Sequence, residues 1–477
     1  MLRPYFHGSS YWDLREKGPS YTAFAAASAL PNRMSKIEKN TLSELNDLYQ
    51  SDDRPWVVAF SGGKDSTLLL QLVFELLISL GKQQASDVQA AKPVYVVASD
   101  TRVEPPNVEA YLKGVLAHIE AGANQLALNL STHLVTPEPQ ESFWGKLIGK
   151  GYPSPTRWFR WCTANMKIRP TRRVIEEITR EHGSAVLLLG TRVDESIERG
   201  KRMRDREHTS RGLNPHHEIP DALVATPIAD WRTDDVWEYL FHHNPPPWGG
   251  SHDFLLDLYR QAAGGECPII LDLDTPSCGG SRFGCWTCTV VKEDKSMQGF
   301  IDTGETWMQP LAEFRNWLKE IRERPECRLA LRRDGSNGPG PFSPECRKEI
   351  LEKLLKIEND LGLTLVSDEG LRYIQAEWRR EFDLAETATT LARRYGRELQ
   401  EMPTIKLPPI EQQVLDDLIA EHAVNPDLVD KLLKLVLYDY KDLYRNKAAL
   451  QREIAERIEV SLEQTGSSAH SGNLLAK

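Results

Sequence analysis

Long apolar runs are missing from this chain of 477 residues. The longest one, "LLLQLVFELLISLG", is interrupted by Gln71 and Glu75 and is too short to cross a bilayer comfortably. The opening "MLRPYFHGSSYWDLREKG" has neither the apolar segment nor the small-residue cleavage site of a secretion signal. We therefore expect a cytoplasmic protein with no membrane partner, in which the longest apolar run forms a buried helix.

An excess of positive charge is also missing, because 59 Lys and Arg residues are set against 69 Asp and Glu residues, for a net charge of −10. The negative net charge argues against nucleic-acid binding over the whole surface, so contact with a polyanion has to use local basic patches. One candidate patch consists of Arg157, Arg160, Lys167, Arg169, Arg172 and Arg173, interleaved with Trp158 and Trp161. A second run, equally compatible with a solvated face compensated by acids, consists of Arg199, Lys201, Arg202, Arg204 and Arg206.

The length predicts two or three structural units rather than one core. From about residue 51 to 240, apolar β-branched runs alternate with helical patterns, as in "WVVAF", "VYVVASD", "NLSTHLVTP" and "AVLLLGT". This alternation predicts an α/β fold with a parallel sheet and helices on both faces. We expect five regions: an N-terminal extension (1–50), a nucleotide-binding α/β domain (51–245), a cysteine-rich segment (246–325), a helical C-terminal region (326–464) and a disordered tail (465–477).

A Walker A loop is absent, because Gly63-Lys64 is followed by Asp65 and Val58 stands where the first glycine belongs. What is present is "SGGKDST", directly between a strand pattern and a helix pattern. Glycines, free N–H groups at a helix start, hydroxyls and a lysine favour a bound phosphate, although a glycine turn with a capping residue is the simpler alternative. The candidate nucleotide-binding residues are Ser61, Gly62, Gly63, Lys64, Asp65, Ser66 and Thr67, with the strand-end residues Asp100 and Arg192.

Disulfides are not expected in a reducing compartment, yet four of the seven cysteines fall within 22 residues. Their spacing is C-x10-C-x6-C-x2-C, formed by Cys267, Cys278, Cys285 and Cys288. Four thiolates can hold zinc or an iron–sulfur cluster, and the spacing does not separate the two.

Cys162 competes with Cys267 for the fourth ligand position. It lies at the start of a predicted helix among cations, which would lower the pKa of its thiol and allow it to deliver sulfur. A buried structural cysteine is the alternative. Cys327 and Cys346, each in a "PECR" repeat, are interpreted as structural.

Five stretches taken together resemble one known family. They are "RPWVVAFSGGKDSTLLLQLV", "SFWGKLIGKGYPSPTRWFRWCTANMKI", "LLLGTRVDES", "TPIADWRTDDVWEYL" and "TPSCGGSRFGCWTCTVVKEDKSM". The resemblance, over residues 50–325, is to the DndC family, the PAPS-reductase-like sulfurtransferases of DNA phosphorothioation. The loop itself resembles the SGGxDS signature of PP-loop ATP pyrophosphatases, whose fold is adenine nucleotide α-hydrolase-like.

The resemblance implies an enzyme that cleaves ATP between the α and β phosphates, with Mg²⁺, and carries a [4Fe–4S] cluster. Residue by residue, the loop function falls on Ser61 to Ser66, with Lys64 and Asp65 catalytic, and the sulfur relay falls on Cys162. The implied cluster ligands are Cys267, Cys278, Cys285 and Cys288. The implied partners are a cysteine desulfurase, other proteins of the phosphorothioation complex and DNA.

Three other interpretations stay open at this stage. A PAPS or APS reductase is disfavoured, because that family uses a redox cysteine in a mobile C-terminal segment and no cysteine follows Cys346 here. An RNA thiolase or the related enzyme of single-strand phosphorothioation is compatible with the same motifs. An ATP-dependent DNA-binding scaffold with a structural cluster is a different class, disfavoured by the intact loop.

Overall fold

The computed structural model describes residues 32–83, 91–195, 213–216, 218–262, 284–381, 383, 386–399, 409–422, 425–434, 454–455 and 458. The predicted Cys267, Cys278, second basic run and C-terminal tail lie outside these residues. The boundaries of the five predicted regions stay predictions. Within the described ranges, no helix combines the length and apolarity that a bilayer crossing requires.

Six strands form one mostly parallel sheet, which confirms the predicted α/β class. They are β1 (Trp56–Phe60), β2 (Val94–Ser99), β3 (Leu130–Val135), β4 (Ala185–Leu188), β5 (Asn214–Pro215) and β6 (Ala222–Ala225). Their order across the sheet is β3-β2-β1-β4-β6-β5, and only β5 runs antiparallel to its neighbour in this described sheet. The sequence predicted the first four strands and missed β5 and β6, which are only two and four residues long.

The described helices cover both faces of this sheet. In chain order they are α1 (Asn32–Gln50), α2 (Lys64–Gln83), α3 (Pro106–Gln125), α4 (Arg169–His182), α5 (Thr233–His242), α6 (Asp253–Ala262), α7 (Lys295–Asp302), α8 (Gln309–Ile321), α9 (Pro344–Leu361), α10 (Asp368–Glu381), α11 (Thr387–Arg394), α12 (Pro409–Glu421) and α13 (Pro426–Lys434). Two π-helical segments, Gly145–Gly149 and Ala164–Ile168, lie between β3 and α4. The run predicted to be a buried helix is α2.

Strand β1 is buried along its whole length because both of its faces are covered. Val58 and Phe60 belong to the large apolar core, whereas Val57 and Ala59 belong to a smaller one on the opposite face. Period-two alternation in a strand sends successive side chains to opposite faces, so a run without polar residues is what two covered faces require.

The chain order changes direction at β1, with β2 paired on one side and β4 on the other. Residue Phe60 lies opposite Ala98, and Val58 lies opposite Leu188, so the segments that follow β1, β2 and β4 emerge side by side. In open α/β sheets ligands bind at this kind of switch point, outside the carboxyl ends of the strands. The "SGGKDST" stretch therefore occupies the position where the fold places a ligand.

The C-terminal helices pack on the α/β domain through the π-helical segment Gly145–Gly149. Its Ile148 carbonyl accepts hydrogen bonds from Arg347 Nε at 2.8 Å and Trp378 Nε1 at 2.9 Å. Trp144 Nε1 donates in return to the Leu365 carbonyl at 2.7 Å. Buried residues of α9 and α10 belong to the same apolar cluster as β1, so both parts share one core.

Candidate active site

The loop after β1 is closed by its own hydroxyl groups. Ser61 Oγ and Ser66 Oγ lie 3.0 Å apart, and Ser66 Oγ donates to the Gly63 carbonyl at 2.9 Å. Gly62 has φ +74°, a conformation that side-chain-bearing residues rarely adopt, and a Cβ there would lie 3.3 Å from Leu112. Helix α2 then starts at Lys64, so the loop leads directly into a helix N-terminus, as predicted for a phosphate site.

Lys64, Asp65 and Arg192 form a buried charged triad at the start of α2. Lys64 Nζ lies 2.9 Å from Asp65 Oδ2, and Arg192 Nε donates to Asp65 Oδ1 at 2.5 Å. Arg192 also donates to the Trp231 carbonyl and to Thr233 Oγ1, both at 3.2 Å. The predicted strand-end residue Arg192 is thus brought to the predicted loop by tertiary structure, where it holds the Asp65 carboxylate in place. The predicted Thr67 lies buried further along α2.

Two further contacts fix the loop against its neighbours. A Cβ on Gly190 would lie 3.0 Å from the Asp65 carbonyl carbon, so the segment after β4 approaches the loop backbone closely because this residue is glycine. The Lys64 N–H donates to the hydroxyl of Tyr259 on α6 at 3.2 Å. The loop is therefore supported from the β4 side and from α6.

The segment after β2 contacts the cysteine region. Asp100 is buried; its Oδ1 accepts from the Arg102 N–H at 2.7 Å, whereas Oδ2 has no hydrogen bond within the described residues and lies 3.6 Å from Arg102 Nε. Thr101 Oγ1 donates to Glu104 Oε1 at 2.6 Å and lies 3.5 Å from Cys285 Sγ. Asp100 and the cysteine region are therefore connected through Thr101, its neighbour in the chain.

Three thiols line a single pocket. They belong to Cys162, Cys285 and Cys288, and two cations, Arg160 and Lys167, line the same pocket. Cys285 and Cys288 converge because a tight turn brings the Cys288 N–H to the Cys285 carbonyl at 2.9 Å. The structure thus brings Cys162 to the close cysteine pair. In the sequence, α4 and strands β4 to β6 separate Cys162 from that pair.

The expected acidity of the Cys162 thiol is wrong. Cys162 does lie in a helical turn, Trp161–Thr163, and Lys167 does act to lower its pKa. Burial, followed by the neighbouring Cys288 thiol, outweighs that cation and raises the pKa of Cys162 to about 11. In this arrangement the free thiol is protonated at neutral pH, because desolvation disfavours the thiolate.

The cysteine turn is held from three sides. The Trp286 N–H donates to the Val103 carbonyl at 2.9 Å, which ties the turn to the segment after β2. Thr289 Oγ1 donates to the Pro155 carbonyl at 2.8 Å. Arg315 of α8, buried almost completely, donates from Nε to the Cys288 carbonyl at 2.8 Å. The pair of thiols is therefore presented by a rigid frame.

The first basic patch divides into two parts in the structure. Arg173 and Arg172 on α4 are engaged by acids: Arg173 forms a two-pronged pair with Glu141, and Arg172 lies 2.7 Å from Glu176. This part of the patch is a compensated face, and a ligand would have to displace carboxylates to reach it.

The other part of the patch belongs to the thiol pocket. Arg160 and Lys167 line it, and Arg157 and Arg169 are exposed close to them in the chain. This second group faces a space that a ligand can enter.

Cys327 and Cys346 lie in the apolar core and do not line the pocket. Burial, then the hydrogen bond with Cys327, raises the pKa of Cys346, so this thiol stays protonated. The placement of both cysteines agrees with the structural interpretation.

Glu104 is a site residue that sequence reasoning missed. Burial raises its pKa to about 7; Lys167 acts against this, and Asp100 acts with it. Glu104 therefore lies close to Lys167, a residue of the thiol pocket, with a carboxyl group whose pKa is near neutral pH. Glu104 belongs to the stretch "SDTRVEPP" (99–106), so its position directly after β2 was the available signal.

Comparison with known proteins identifies the family that part of the chain resembles. Residues 55–291 match the phosphoadenosine phosphosulfate (PAPS) reductase domain family. This part of the chain is a PAPS-reductase-like domain. The matched residues include the phosphate loop, Cys162 and the cysteine turn.

The relatives and solved structures to which the chain is similar are distant. Two uncharacterized proteins of Methanocaldococcus jannaschii are each 25% identical, over 59% and 44% of this chain and 48% and 42% of their own lengths. The chain thus spans less than half of either curated relative. The PAPS reductase of Candida auris in complex with phosphate is 16% identical, with TM-score 0.28 over 49% of this chain and 94% of its own.

The U34-tRNA thiolase NcsA of Methanococcus maripaludis, solved with its [4Fe–4S] cluster, is 12% identical, with TM-score 0.28 over 65% of this chain and 86% of its own. A TM-score of this size is too low to support an inference about function.

Proposed function

We propose that this protein is a sulfurtransferase of the DndC type, which installs a phosphorothioate in the DNA backbone. It activates a DNA phosphate with ATP, releases pyrophosphate and replaces a non-bridging oxygen by sulfur from a cysteine desulfurase. The observation that carries the proposal is the juxtaposition of the two sites. Three thiols line one pocket, Thr101 of the segment after β2 contacts Cys285 of that pocket, and β2 pairs with β1, which leads into the loop at residues 61–67.

In the first step an oxygen of the DNA phosphate attacks the α-phosphorus of ATP. The bond between the α-phosphorus and the bridging oxygen breaks, and pyrophosphate leaves with that oxygen. Lys64 and the N–H groups at the start of α2 would stabilise the charge that develops on the leaving group. Arg192 supports this by fixing Asp65, which in turn holds Lys64.

In the second step sulfur replaces the activated oxygen. The terminal sulfur of a persulfide on Cys162 attacks the DNA phosphorus, and AMP leaves with the original phosphate oxygen. A thiol reductant then cleaves the S–S bond, which leaves the phosphorothioate on DNA and the reductant as a disulfide with Cys162. Arg160 and Lys167 in the pocket would attract both the phosphate and the anionic sulfur.

The donor set of the pocket fits an iron–sulfur cluster, because thiolates are the ligands that such clusters take. Cys285 and Cys288 would hold it, with Cys267 and Cys278 outside the described residues. When bound, the cluster would supply iron for binding or reducing sulfur beside the acceptor phosphate. For Mg²⁺ the fit is different, because both candidate carboxylates face cations: the Asp65 oxygens contact Lys64 and Arg192, and Asp100 Oδ2 lies 3.6 Å from Arg102 Nε and 3.7 Å from Lys113 Nζ. Asp100 Oδ2 accepts no hydrogen bond from the described residues and would be the oxygen donor that Mg²⁺ prefers.

Product analysis tests the chemistry. With ATP, DNA, a cysteine desulfurase and cysteine, we expect pyrophosphate and AMP in equal amounts and phosphorothioate dinucleotides after nuclease digestion, measured by mass spectrometry. Release of orthophosphate alone would contradict cleavage at the α-phosphorus. Sulfur found in RNA and not in DNA would point to an RNA thiolase, and sulfite formed from PAPS would point to a reductase.

Metal analysis tests the role of the thiols. Protein purified without oxygen should contain about four irons, the number in one [4Fe–4S] cluster. Cys162→Ser should keep the iron and lose sulfur transfer; loss of iron would instead make Cys162 a ligand. Cys327→Ala, which removes a thiol that does not line the pocket, is the control and should keep both.

A further inference from the structure

Trp158 is the most exposed large apolar side chain in the described part of the protein, with 96% of its surface accessible. It lies at the tip of a tight turn between Arg157, also exposed, and Phe159, which is 44% exposed. Tryptophan is mostly buried in folded proteins, and exposed tryptophans beside arginine are typical of binding surfaces. The tip is therefore a candidate surface for a ligand.

The turn is ordered by its own hydrogen bonds. Thr156 and Phe159 exchange backbone N–H to carbonyl hydrogen bonds at 3.3 Å in both directions. Thr156 Oγ1 accepts in addition from the Trp158 N–H at 3.3 Å and the Phe159 N–H at 3.0 Å. Because the backbone of the turn is fixed, binding at the tip costs little backbone entropy.

The base of the same turn is part of the thiol pocket. Pro155 and Arg160, which flank the tip on either side, both line the pocket with Cys162. The Pro155 carbonyl accepts from Arg322 Nη1 at 2.7 Å and from Thr289 Oγ1, one residue after the cysteine turn, at 2.8 Å. The turn that carries the indole is therefore attached to the wall of the pocket in which sulfur transfer is proposed.

A group of cations surrounds the inner side of the tip. The Phe159 ring stacks on Tyr152 with centroids 6.0 Å apart and planes 12° apart. Lys146 Nζ lies 5.4 Å and Arg333 Cζ 5.5 Å from the centre of the Tyr152 ring. Burial, then the neighbouring charges of Lys150 and Arg169, lower the pKa of Lys146, so these like charges are close enough to repel one another.

The combination favours a nucleic acid strand over other polyanions. A chain of phosphates lowers the repulsion between closely spaced cations, and a neighbouring aromatic side chain can stack on a nucleobase. Two of the cations are partly compensated, since Lys150 lies 4.0 Å from Glu377 and Arg333 lies 3.8 Å from Glu381. Arg157, next to the indole, is exposed at the surface.

We propose that Trp158 stacks on an unpaired nucleobase next to the DNA phosphate that enters the thiol pocket. The inference rests on the proposed function and adds to it a requirement: the substrate is single-stranded, or unpaired at the modified position, because a base inside a duplex cannot present its face to the indole. The surface formed by Arg157, Trp158, Phe159 and the cations around Tyr152 is its binding surface.

Binding of fluorescein-labelled oligonucleotides to the full chain, followed by anisotropy, tests this inference. The probes are a single strand, the matching duplex and a duplex with one unpaired base. Trp158→Ala should weaken binding of the single strand and the bulged duplex about ten-fold, within the range for one lost base–aromatic stack. Trp158→Phe should keep most of the affinity, and binding of the matching duplex should change by less than about two-fold, since it offers no base to stack on.

Leu126→Ala is the matched control, because Leu126 is 44% exposed and follows α3 on the amino-end side of the sheet, away from the pocket. It should leave binding of all three probes unchanged. Iodide quenching adds a direct readout: the single strand should protect tryptophan fluorescence in the wild type and leave fluorescence unprotected in Trp158→Phe. Equal affinity of wild type and Trp158→Ala for every probe would overturn the inference.

The outcomes separate this inference from the proposed function. If the wild type makes phosphorothioate DNA and Trp158→Ala does so with unchanged Kd for DNA, the stacking is wrong and the function stands. If the wild type makes no phosphorothioate but Trp158→Ala still loses binding of the single strand, the stacking stands and the reaction is wrong. If Trp158→Ala binds DNA normally and loses binding to purified cysteine desulfurase, the surface is a protein interface and the inference is overturned.

Discussion

At the scale of single residues, the site is governed by charged groups removed from water. The Asp65 carboxylate is 2% exposed and is held by two cations, one from the preceding residue and one from the segment after β4. Glu104, in contrast, accepts hydrogen bonds from Thr101, and its burial outweighs the attraction of Lys167. The Asp65 carboxylate is thereby paired with cations, whereas the Glu104 carboxyl has a raised pKa. Different surroundings thus give two acidic residues different protonation behaviour.

Replacing Glu104 by Gln should change the pH dependence of stability. Since the folded-state pKa is about 7 and that of an unfolded glutamate is about 4.3, the folded protein holds a proton that the unfolded chain releases between these values. The unfolding free energy of the wild type therefore falls as pH rises through this window. The Glu104→Gln variant lacks this decrease, because glutamine does not titrate. The Tm difference, Glu104→Gln minus wild type, should become more positive from about pH 5 to pH 8; a constant difference would contradict the assignment.

Replacing Arg192 by Ala should lower the unfolding free energy by about 3–5 kcal/mol, the usual result of leaving one buried charge without its partner. Arg192 is 1% exposed, and its loss also removes hydrogen bonds to the Trp231 carbonyl and Thr233. Arg172→Ala is the matched control, because Arg172 pairs with Glu176 at 40% side-chain exposure and should cost less than about 1 kcal/mol. Equal urea midpoints for the two variants would count against a buried triad.

At the scale of elements, a histidine joins three helices behind the sheet. His243, directly after α5, lies 3.7 Å from Glu38 of α1 through Nε2 and 3.7 Å from Glu75 of α2 through Nδ1. Its ring also stacks on Tyr239, with centroids 4.0 Å apart. Burial opposes the charged form, but the hydrogen bond and charge of Glu75, with Glu38, raise the pKa of His243 above its usual 6.5. The packing of α1 against α2 and α5 therefore depends on the protonation of His243.

We expect α1 to dock less firmly as pH rises from about 6 to 8. A raised histidine pKa gives stability that is complete below about 6.5 and is lost as pH rises through the folded-state value. The nearby His252 does not contribute over this range, because burial lowers its pKa to about 4. Hydrogen exchange of the α1 amides, corrected for intrinsic rates, should show less protection at the higher pH, and His243→Gln should remove this pH dependence while Arg172→Ala keeps it.

At the scale of the whole molecule, the α/β domain and the C-terminal helices behave as one folded body. Arg347 is 2% exposed and donates from Nε to the carbonyl of Ile148, beside a shared apolar core that includes Trp144 and Trp378. Two parts joined by a large buried surface are expected to unfold together.

A single heat-capacity transition is therefore expected, with a calorimetric enthalpy equal to the van't Hoff enthalpy. Ending the chain after Arg324 should give an insoluble or molten fragment, because it uncovers the Ile148 face and leaves its carbonyl without Arg347 and Trp378. The full chain is the control. A soluble fragment with an unchanged near-UV spectrum would show that the two parts fold separately.

The residues themselves determined the fold class and the loop between β1 and α2, because both depend on local pattern. Short β-branched apolar runs such as "WVVAF" favour strands covered on both faces, and a glycine pair before Lys64 predicts a loop whose N–H groups face outward. The same locality explains the misses: β5 and β6 have too few residues for a periodicity, and their pairing is a property of the assembled sheet.

Only the tertiary structure decided which distant groups meet. Arg192 reaches Asp65 because β4 lies beside β1, and Cys162 joins Cys285 and Cys288 because the cysteine turn docks on the segment after β2. Nearby cations in the sequence predicted an acidic Cys162 thiol, yet burial made it a weak acid, since desolvation depends on everything packed around a group and not on its neighbours in the chain. The sequence identified the candidate side chains, and tertiary packing determined the distances between them and their protonation.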